Sequence, residues 1–547
     1  MPQLNKPVAR LLSGLVLALI ALPSGADFGS KHVDQHRRDS PAARDRQTSN
    51  DTAQTGMPLD LEKYDDVLQS HHSGMVEAVL GSHVKQTDLE ALSPLQAFIV
   101  AFEEGDELFE INYNALDGVG VNVGNGQRFT SLPRPDLSAA DAWASVQPAR
   151  ITGPNSDSCI SCHNVPIADG GGGVNDNAIR IDPERLQNGF IERQAPHVFG
   201  LGALQLLAEE MTTELQAAQQ NAAAQACATG TRQQVALTTK GISFGSIQVS
   251  CNAINYRGLS GIDRDLVVKP FEWKGLTAFV RDFVRGAAHQ ELGLQAAEIV
   301  GNQDSDFDKV IDELSVGDVT ALTIYNAGQA RPVTRLELNQ IITYLTPDES
   351  ERYGLPLPPA EVQSITNGEK VFESLQCSSC HTSALAIASP VFTEPSLHNE
   401  FRDEVFPAGH SVSLPTVAIS FDITSDIPDN QAFLPSGQTL GQFERDDNGG
   451  AIVRLYGDLK RHDMGNALAE EFDEGNVGNA VFLTENLWGV GSTAPYLHDG
   501  RATTLTEAIL FHGGEADGSR QLFNAASNSD HADLLAFLNN LVLYLQP

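Results

Sequence analysis

Apolar residues recur at helical intervals from about Leu89 to Phe109 (Leu92, Leu95, Phe98, Phe102), and this spacing predicts a helix. The pattern breaks at Gly118–Gly126, GVGVNVGNG, a glycine run without a following GK[ST] or a βαβ setting, so a dinucleotide site is excluded there. Residues 206–228, rich in Ala, Gln and Glu, read as helix, and Leu276 to Gly286 reads as another. Thr334-x-x-Glu337 is a capping box, opening a helix expected to run through Tyr344 and Leu345 to Pro347. Three prolines within Pro356–Pro359 mark a linker, and Asn367–Phe372 leads a short helix. Thr416–Thr424 alternates as a strand, with Ala451–Tyr456 as its expected partner, and an amphipathic helix over about Asp530–Leu545 ends the pattern.

The N-terminus departs from all this. Lys6 and Arg10 precede an apolar run from Leu11 to Leu22, then Ser24-Gly25-Ala26, the order of a cleavable signal peptide over residues 1–26. The run is short for a bilayer span, the alternative reading being a membrane anchor. Residues 27–60 are polar and charged with few large apolar residues, which predicts a disordered leader. A chain of 547 residues exceeds one ordinary core, and the expected division is 61–350 and 360–547 on either side of the linker, with 203–268 as an insertion in the first part.

Charge narrows the partners. A formal net charge of -36 argues against nucleic acid and would draw a basic protein partner. The six cysteines are unevenly placed. Cys227 and Cys251 stand apart from the rest and are even in number, which favours a disulfide over two buried thiols in an exported chain.

The other four form Cys159-Ile-Ser-Cys162-His163 and Cys377-Ser-Ser-Cys380-His381. Each is CxxCH, the attachment signature of c-type haem, in which two thiols bond the vinyl carbons and the histidine ligates iron. Chance would supply about 0.002 copies in a chain of this composition. A zinc site has no need of histidine directly after the second cysteine. Two covalently bound haem c groups are therefore expected, with Cys159, Cys162, His163, Cys377, Cys380 and His381 as their ligands. Attachment of haem c on the oxidising side of the bacterial inner membrane agrees with export, so a periplasmic location is expected, with no stable membrane span. Gly170–Gly173, soon after the first motif, suits either a flexible loop or a close approach of backbone to a haem edge.

The two parts echo each other. Ile342-Thr-Tyr344-Leu345-Thr-Pro347 recurs as Val542-Leu-Tyr544-Leu545-Gln-Pro547, and Phe199-Gly-Leu-Gly202 as Trp488-Gly-Val-Gly491. The expected fold is mainly α: two cytochrome c-like haem domains with loop insertions and a small antiparallel β element in the second.

Trp488-Gly-Val-Gly-Ser-Thr-Ala-Pro495-Tyr496-Leu-His498-Asp499-Gly500-Arg501, followed by Thr504-Leu505 and Phe511-His512-Gly-Gly-Glu515-Ala516, resembles the bacterial di-haem cytochrome c peroxidase superfamily, which includes MauG. Within it the stretch is most similar to the di-haem oxidoreductases, as are Gly153–Asn164 and Arg461-His-Asp-Met464-Gly. The resemblance runs from about residue 90 to the end, apart from 203–268.

It implies a peroxidase that reduces hydrogen peroxide at the first haem with electrons relayed by the second. The donor would be a small protein such as a cytochrome c or cupredoxin, or a quinol-linked one, and calcium is a possible further cofactor. Non-catalytic electron transfer and a MauG-like or oxygenase-type oxidase are the alternatives. Counting from His498 as the family does places the sixth ligand of the second haem at His512, with Met464 as rival. Glu291-Leu-Gly293 matches the segment carrying the family's distal glutamate, which makes Glu291 the expected proton-handling group. Arg281 falls where the family has a distal glutamine, His289 is a further candidate for the same pocket, and Trp273 falls where the family has a tryptophan between the haems. The next histidine after His163 is His197, too distant in register to block the first haem, so that haem is expected to be open.

Overall fold

The computed structural model describes residues 78–120 except 115, 155–181 except 175–177, 190–398 except 305–309, 401, and 417–546 except 472. All of these lie in one unit of the chain, residues 58–547. The expected signal peptide at 1–26, the leader at 27–60 and most of the Gly118–Gly126 loop fall outside the described residues.

Two helix crossings of the same design organise the architecture. The Pro94–Glu110 helix starts on a proline and buries Ala97, Phe98, Ala101, Phe102, Gly105, Leu108 and Phe109 along one face. That face packs on the Val316–Ala327 helix, which a Ser315/Asp318 capping box opens. They cross where Gly105 lies against the Ala321 carbonyl and the Tyr325 Cβ, leaving no room for a side chain. Later in the chain the Pro359–Ser374 helix crosses the Asn528–Asn540 helix, opened by a Ser527/Asp530 box, with Gly368 against the Asp533 carbonyl and the Phe537 Cβ. In each copy the glycine meets residues four apart, and the second is aromatic. Four residues beyond each glycine comes a phenylalanine, Phe109 or Phe372, whose ring stacks near that aromatic, at 5.4 Å from Tyr325 and 5.4 Å from Phe537.

The packing of these two helix pairs is thus alike, but the likeness is not the one read from the segment ends. The first closing helix is Val316–Ala327, whereas the capped segment expected to play that part is a six-residue helix, Arg335–Gln340, followed by a 3-10 turn at Ile342–Tyr344. The last helix ends at Asn540, and Leu541–Val542 leaves it as a strand pairing with Val333–Thr334. The second echo does hold. Gly200 and Gly489 both take left-handed φ, +76° and +84°, and two residues on, Gly202 and Gly491 pack on the backbone of Ala327 and Asn539, at the ends of the two closing helices. Trp488 fills the space beside Gly200, and His197 and Leu543 the space beside Gly489.

Strands are small, antiparallel and more widely spread than expected. Ile419–Asp422 is a strand, but its partner is Val391–Glu394, while Ala451–Val453 pairs with Leu385–Ile387 and Glu444–Arg445. The sheet with the longest strands lies in the first half, inside the insertion. There Gln233–Thr239, Ile242–Ser250 and Ala253–Leu259 form a meander against the Leu201–Thr229 helix. Leu237, Phe244, Ile247 and Val249 are buried beneath it. Cys227 at the helix end is disulfide-bonded to Cys251 in the last turn of the meander, as expected.

The prolines at 356–359 do not separate two cores. Pro358 and Pro359 already form the N-cap and first position of a helix. One apolar core runs from Phe98 and Phe199 through Phe392, Phe421 and Val453 to Trp488, and Phe98 stacks on Phe421 with centroids 4.3 Å apart. Each such buried aromatic adds roughly 1.5–3 kcal/mol, so this joint is a substantial fraction of net stability.

Candidate functional site

Both CxxCH segments fold as one tight turn. The His163 amide donates to the Cys159 carbonyl at 3.2 Å and the His381 amide to the Cys377 carbonyl at 3.0 Å. This brings two thiols and one imidazole to the same side of each turn. Neither pair of thiols is oxidised. Burial pushes the Cys159 thiol up to about 12 and the Cys377 thiol up to about 11, so both sulfurs are neutral thiols here.

Each turn borders a cavity. The first, about 590 Å³, is lined by Cys159, Cys162 and His163 together with Phe109, His289 and Glu291. The second, about 220 Å³, is lined by Cys377, Cys380 and His381 together with His498 and His512. Trp273, Gln194, His197, Glu485 and Trp488 line both, forming a shared wall.

In the second cavity the rings of His381 and His512 lie 6.4 Å apart. His381 Nδ1 lies 3.1 Å from the Tyr456 carbonyl and His512 Nδ1 lies 2.8 Å from the Ala508 carbonyl. Carbonyls only accept, so each Nδ1 is the donor and each Nε2 keeps its lone pair, the arrangement that prepares histidine for a metal. Metal–nitrogen bonds of roughly 2 Å on both sides would set ring centroids about 6 Å apart, so the spacing fits one shared iron. Burial lowers both imidazoles, His381 to about 4, so both are neutral. Met464 lines the same cavity.

In the first cavity, the Val280–Ala287 helix runs into a π-helical turn, Ala288–Leu292, which carries His289 and Glu291. Such turns interrupt the ordinary helical ladder and recur at functional sites. The Glu291 carboxylate accepts from Asn155 Nδ2 at 2.5 Å, and its carbonyl takes the Asn155 and Ser156 amides at 2.6 and 2.9 Å, tying the turn to the segment leading into Cys159. His289 is 3% exposed. The Gly170–Gly173 segment is not a free loop: Gly171 bridges Val165, the Gly172 amide donates to the Ala195 carbonyl at 2.8 Å, and Gly172 abuts the Cys162 carbonyl.

Arg281 is brought elsewhere. It is 2% exposed and does not line the cavity. Its guanidinium is held by Glu298, by Glu394 Oε1 at 3.0 Å and by Thr320 Oγ1 at 3.0 Å, and Arg285 shares Glu298. With its donors spent on two buried carboxylates it ties the two halves together, and the expectation that it faces the first haem is corrected. The departure from glutamine in sequence was the signal that its role differs.

Trp273 lies on the shared wall. Its Nε1 donates to the Gln194 carbonyl at 2.8 Å, and its ring meets His498 edge-on at 6.4 Å. His498 in turn stacks on Phe482 at 4.2 Å. His197, far from His163 in sequence, also reaches this wall; its Nε2 lies 2.9 Å from the Trp488 carbonyl.

Two groups were missed in the sequence. His462, within the quoted Arg461–Gly465 motif, has Nε2 2.9 Å from Asp458 and Nδ1 2.9 Å from Glu515. Burial opposes its charge, but the Asp458 hydrogen bond prevails and carries it up to about 10. Glu485, on the shared wall, is pushed up to about 7 by burial. Among the described residues the grouping with metal-ligand spacing is Cys380, Asp458 and His462, and sulfur and imidazole are not calcium donors.

Residues 425–541, which carry His498, His512 and the His462 network, match a family model. It is described as "Di-haem oxidoreductase, putative peroxidase". Two solved structures are similar. One is a MauG-like protein associated with microbial copper homeostasis, 17% identical, covering 53% of this chain and 76% of its own, with a TM-score of 0.24. The other is the diheme peroxidase BthA from Burkholderia thailandensis E264, 15% identical, covering 77% and 89%, with a TM-score of 0.26. At these scores neither likeness carries an argument of its own. No curated protein matches the chain. Among the described residues no helix is long and apolar enough to cross a membrane.

Proposed function

We propose that this protein is a periplasmic di-haem c peroxidase that reduces hydrogen peroxide to water at the His163 cavity, with electrons entering by way of the His381/His512 cavity. Haem c, held by Cys159, Cys162 and His163 and by Cys377, Cys380 and His381, supplies the iron and the redox chemistry. The reaction balances as one peroxide, two protons and two electrons giving two waters.

The carrying observation is the difference between the two cavities. In the smaller, His381 and His512 oppose each other with both Nε2 atoms available; the two together would hold an iron and suit it to electron transfer. In the larger, a carboxyl and an imidazole stand on a π-turn beside the CxxCH segment. Glu291 is the group that takes a proton from one peroxide oxygen and returns it to the other, held in place by Asn155. Trp273 and His498 form the aromatic contact on the wall common to both cavities. The donor would be a small basic redox protein, since the chain carries -36.

Spectroscopy of the purified ferric protein tests this reading. The expected result is one low-spin bis-histidine haem beside one high-spin haem that binds carbon monoxide after reduction and reacts with peroxide. Two low-spin haems inert to both would make the protein an electron carrier.

A further inference from the structure

The wall between the cavities contains a charge that neither cavity uses. Lys274, next to Trp273, is fully buried at 0% exposure. Its Nζ lies 3.0 Å from the Gly478 carbonyl, 3.2 Å from that of Asn479, 2.9 Å from that of Val481 and 3.2 Å from Glu470 Oε2. It also sits 3.9 Å from the centre of the Phe482 ring. Three carbonyls accept from Nζ while Glu470 pairs with it, and three acceptors exceed the two N–H groups of a neutral amine, so the group is ammonium. On its far side Glu470 also pairs with Arg193, which pairs with Glu474, so two cations meet two carboxylates.

Carbonyls and a carboxylate converging on one point serve a lysine ammonium, and the same groups also make up the shells of bound cations. Their spacing decides which ion. Calcium takes oxygens at roughly 2.3–2.6 Å. The cage is wider, with the 2.7–3.2 Å span of N–H···O bonds. Oxygens at that distance suit an ammonium group or a large monovalent cation and not calcium.

We propose that Lys274 Nζ is a permanently installed cation: it fills an oxygen cage that would otherwise take a free monovalent ion, and so fixes the wall between the two cavities. The cage residues bear directly on that wall. The Leu483 amide donates to the Trp273 carbonyl at 2.8 Å, and Phe482 carries both the ammonium and the His498 ring. Glu470 Oε1 is 3.7 Å from His498 Nε2. Lys274 is a positioning residue in this arrangement, and the inference does not rest on the peroxidase reading.

Removing the side chain should turn the cage into an exchangeable ion site. The test compares the thermal midpoint of the Lys274→Ala holoprotein in choline, potassium and ammonium chloride at equal ionic strength. The expected result is a lowered midpoint in choline that recovers by at least half, saturably, in ammonium or potassium, while the unsubstituted protein responds equally to all three salts. Loss of the same size in all three would mean that Lys274 only packs, and would overturn the proposal. Lys274→Met, whose side chain refills the space without charge, should show no recovery; equal recovery in both variants would also overturn it. A third measurement needs no variant. Under reductive methylation with formaldehyde, the exposed Lys370 should be modified while Lys274 stays unmodified, and a methylated Lys274 in the folded holoprotein would contradict a caged ammonium.

Discussion

His381 and His512 face each other across the second cavity with ring centroids 6.4 Å apart, each fixed by Nδ1 to a main-chain carbonyl. If they share an iron, His512→Ala opens it: the low-spin bis-histidine signal gives way to a high-spin one, and carbon monoxide binds a second equivalent on reduction. His512→Met keeps the iron low-spin and raises its midpoint potential, because a thioether is the weaker donor to ferric iron. An unchanged spectrum in His512→Ala would move the ligand elsewhere, with Met464 the first place to look.

Glu291→Gln keeps the shape of the π-turn and the contact with Asn155 but cannot carry a proton. Peroxide turnover should fall on the order of 10²–10⁴-fold, with both haem spectra intact. Stopped-flow reaction of the ferric protein with peroxide measures it. A loss below threefold would return Glu291 to a purely structural part.

Arg281→Met should behave in the opposite way. It removes the cation that Glu298 and Glu394 share and leaves Glu298 to Arg285, which costs roughly 3–5 kcal/mol. Denaturant titration should show the loss, while protein that remains folded reacts with peroxide at the normal rate. Slowed peroxide chemistry with normal stability would restore Arg281 to the site.

Asp169 gives the pH dependence a sign. Its carboxylate is 1% exposed, accepts the Tyr325 hydroxyl at 2.8 and 2.9 Å, and is pushed up to about 8 by burial, with Asp106 and Asp429 adding to the effect. The folded state therefore keeps a proton that the unfolded chain releases near pH 4. The stability tied to that proton is complete below about pH 4 and is lost as pH rises through about 8. Urea midpoints at pH 5 and pH 8 should differ more in the unsubstituted protein than in Asp169→Asn, which has no proton to lose. Equal slopes would show that Asp169 is ionised in the fold.

Gly105→Ala and Gly368→Ala test the duplicated crossing. In both, the added methyl meets a carbonyl of the opposite helix, Ala321 or Asp533. Each should cost about 1–3 kcal/mol, through separation of the helices more than through helix propensity, which favours alanine. A stabilised Gly105→Ala would mean that the crossing is looser than described.

What the sequence revealed was local. CxxCH is a five-residue pattern that can be read without any fold, and the stretch from His498 to His512 contains one capped helix, Leu505–Phe511. The insertion's helix and its disulfide were legible for the same reason. Pairings between distant segments were not. The strand at Ile419–Asp422 could be seen, but nothing in its alternation distinguishes Val391–Glu394 from Ala451–Val453 as partner. The repeat was sought in similar-looking hexapeptides, whereas packing repeats a sparser pattern: a glycine, a phenylalanine four residues later, and an aromatic on the closing helix. Arg281 was misplaced because register along one helix says nothing of a carboxylate, Glu394, that arrives from the other half.

The strand formed by Leu541–Val542 and Val333–Thr334 sets a condition on biosynthesis. A ribosome makes the chain from its N-terminus, so Val333–Thr334 waits for its partner until residues 335–540 have been made. A product that stops before Leu541 keeps every cysteine and histidine discussed above yet lacks this clasp.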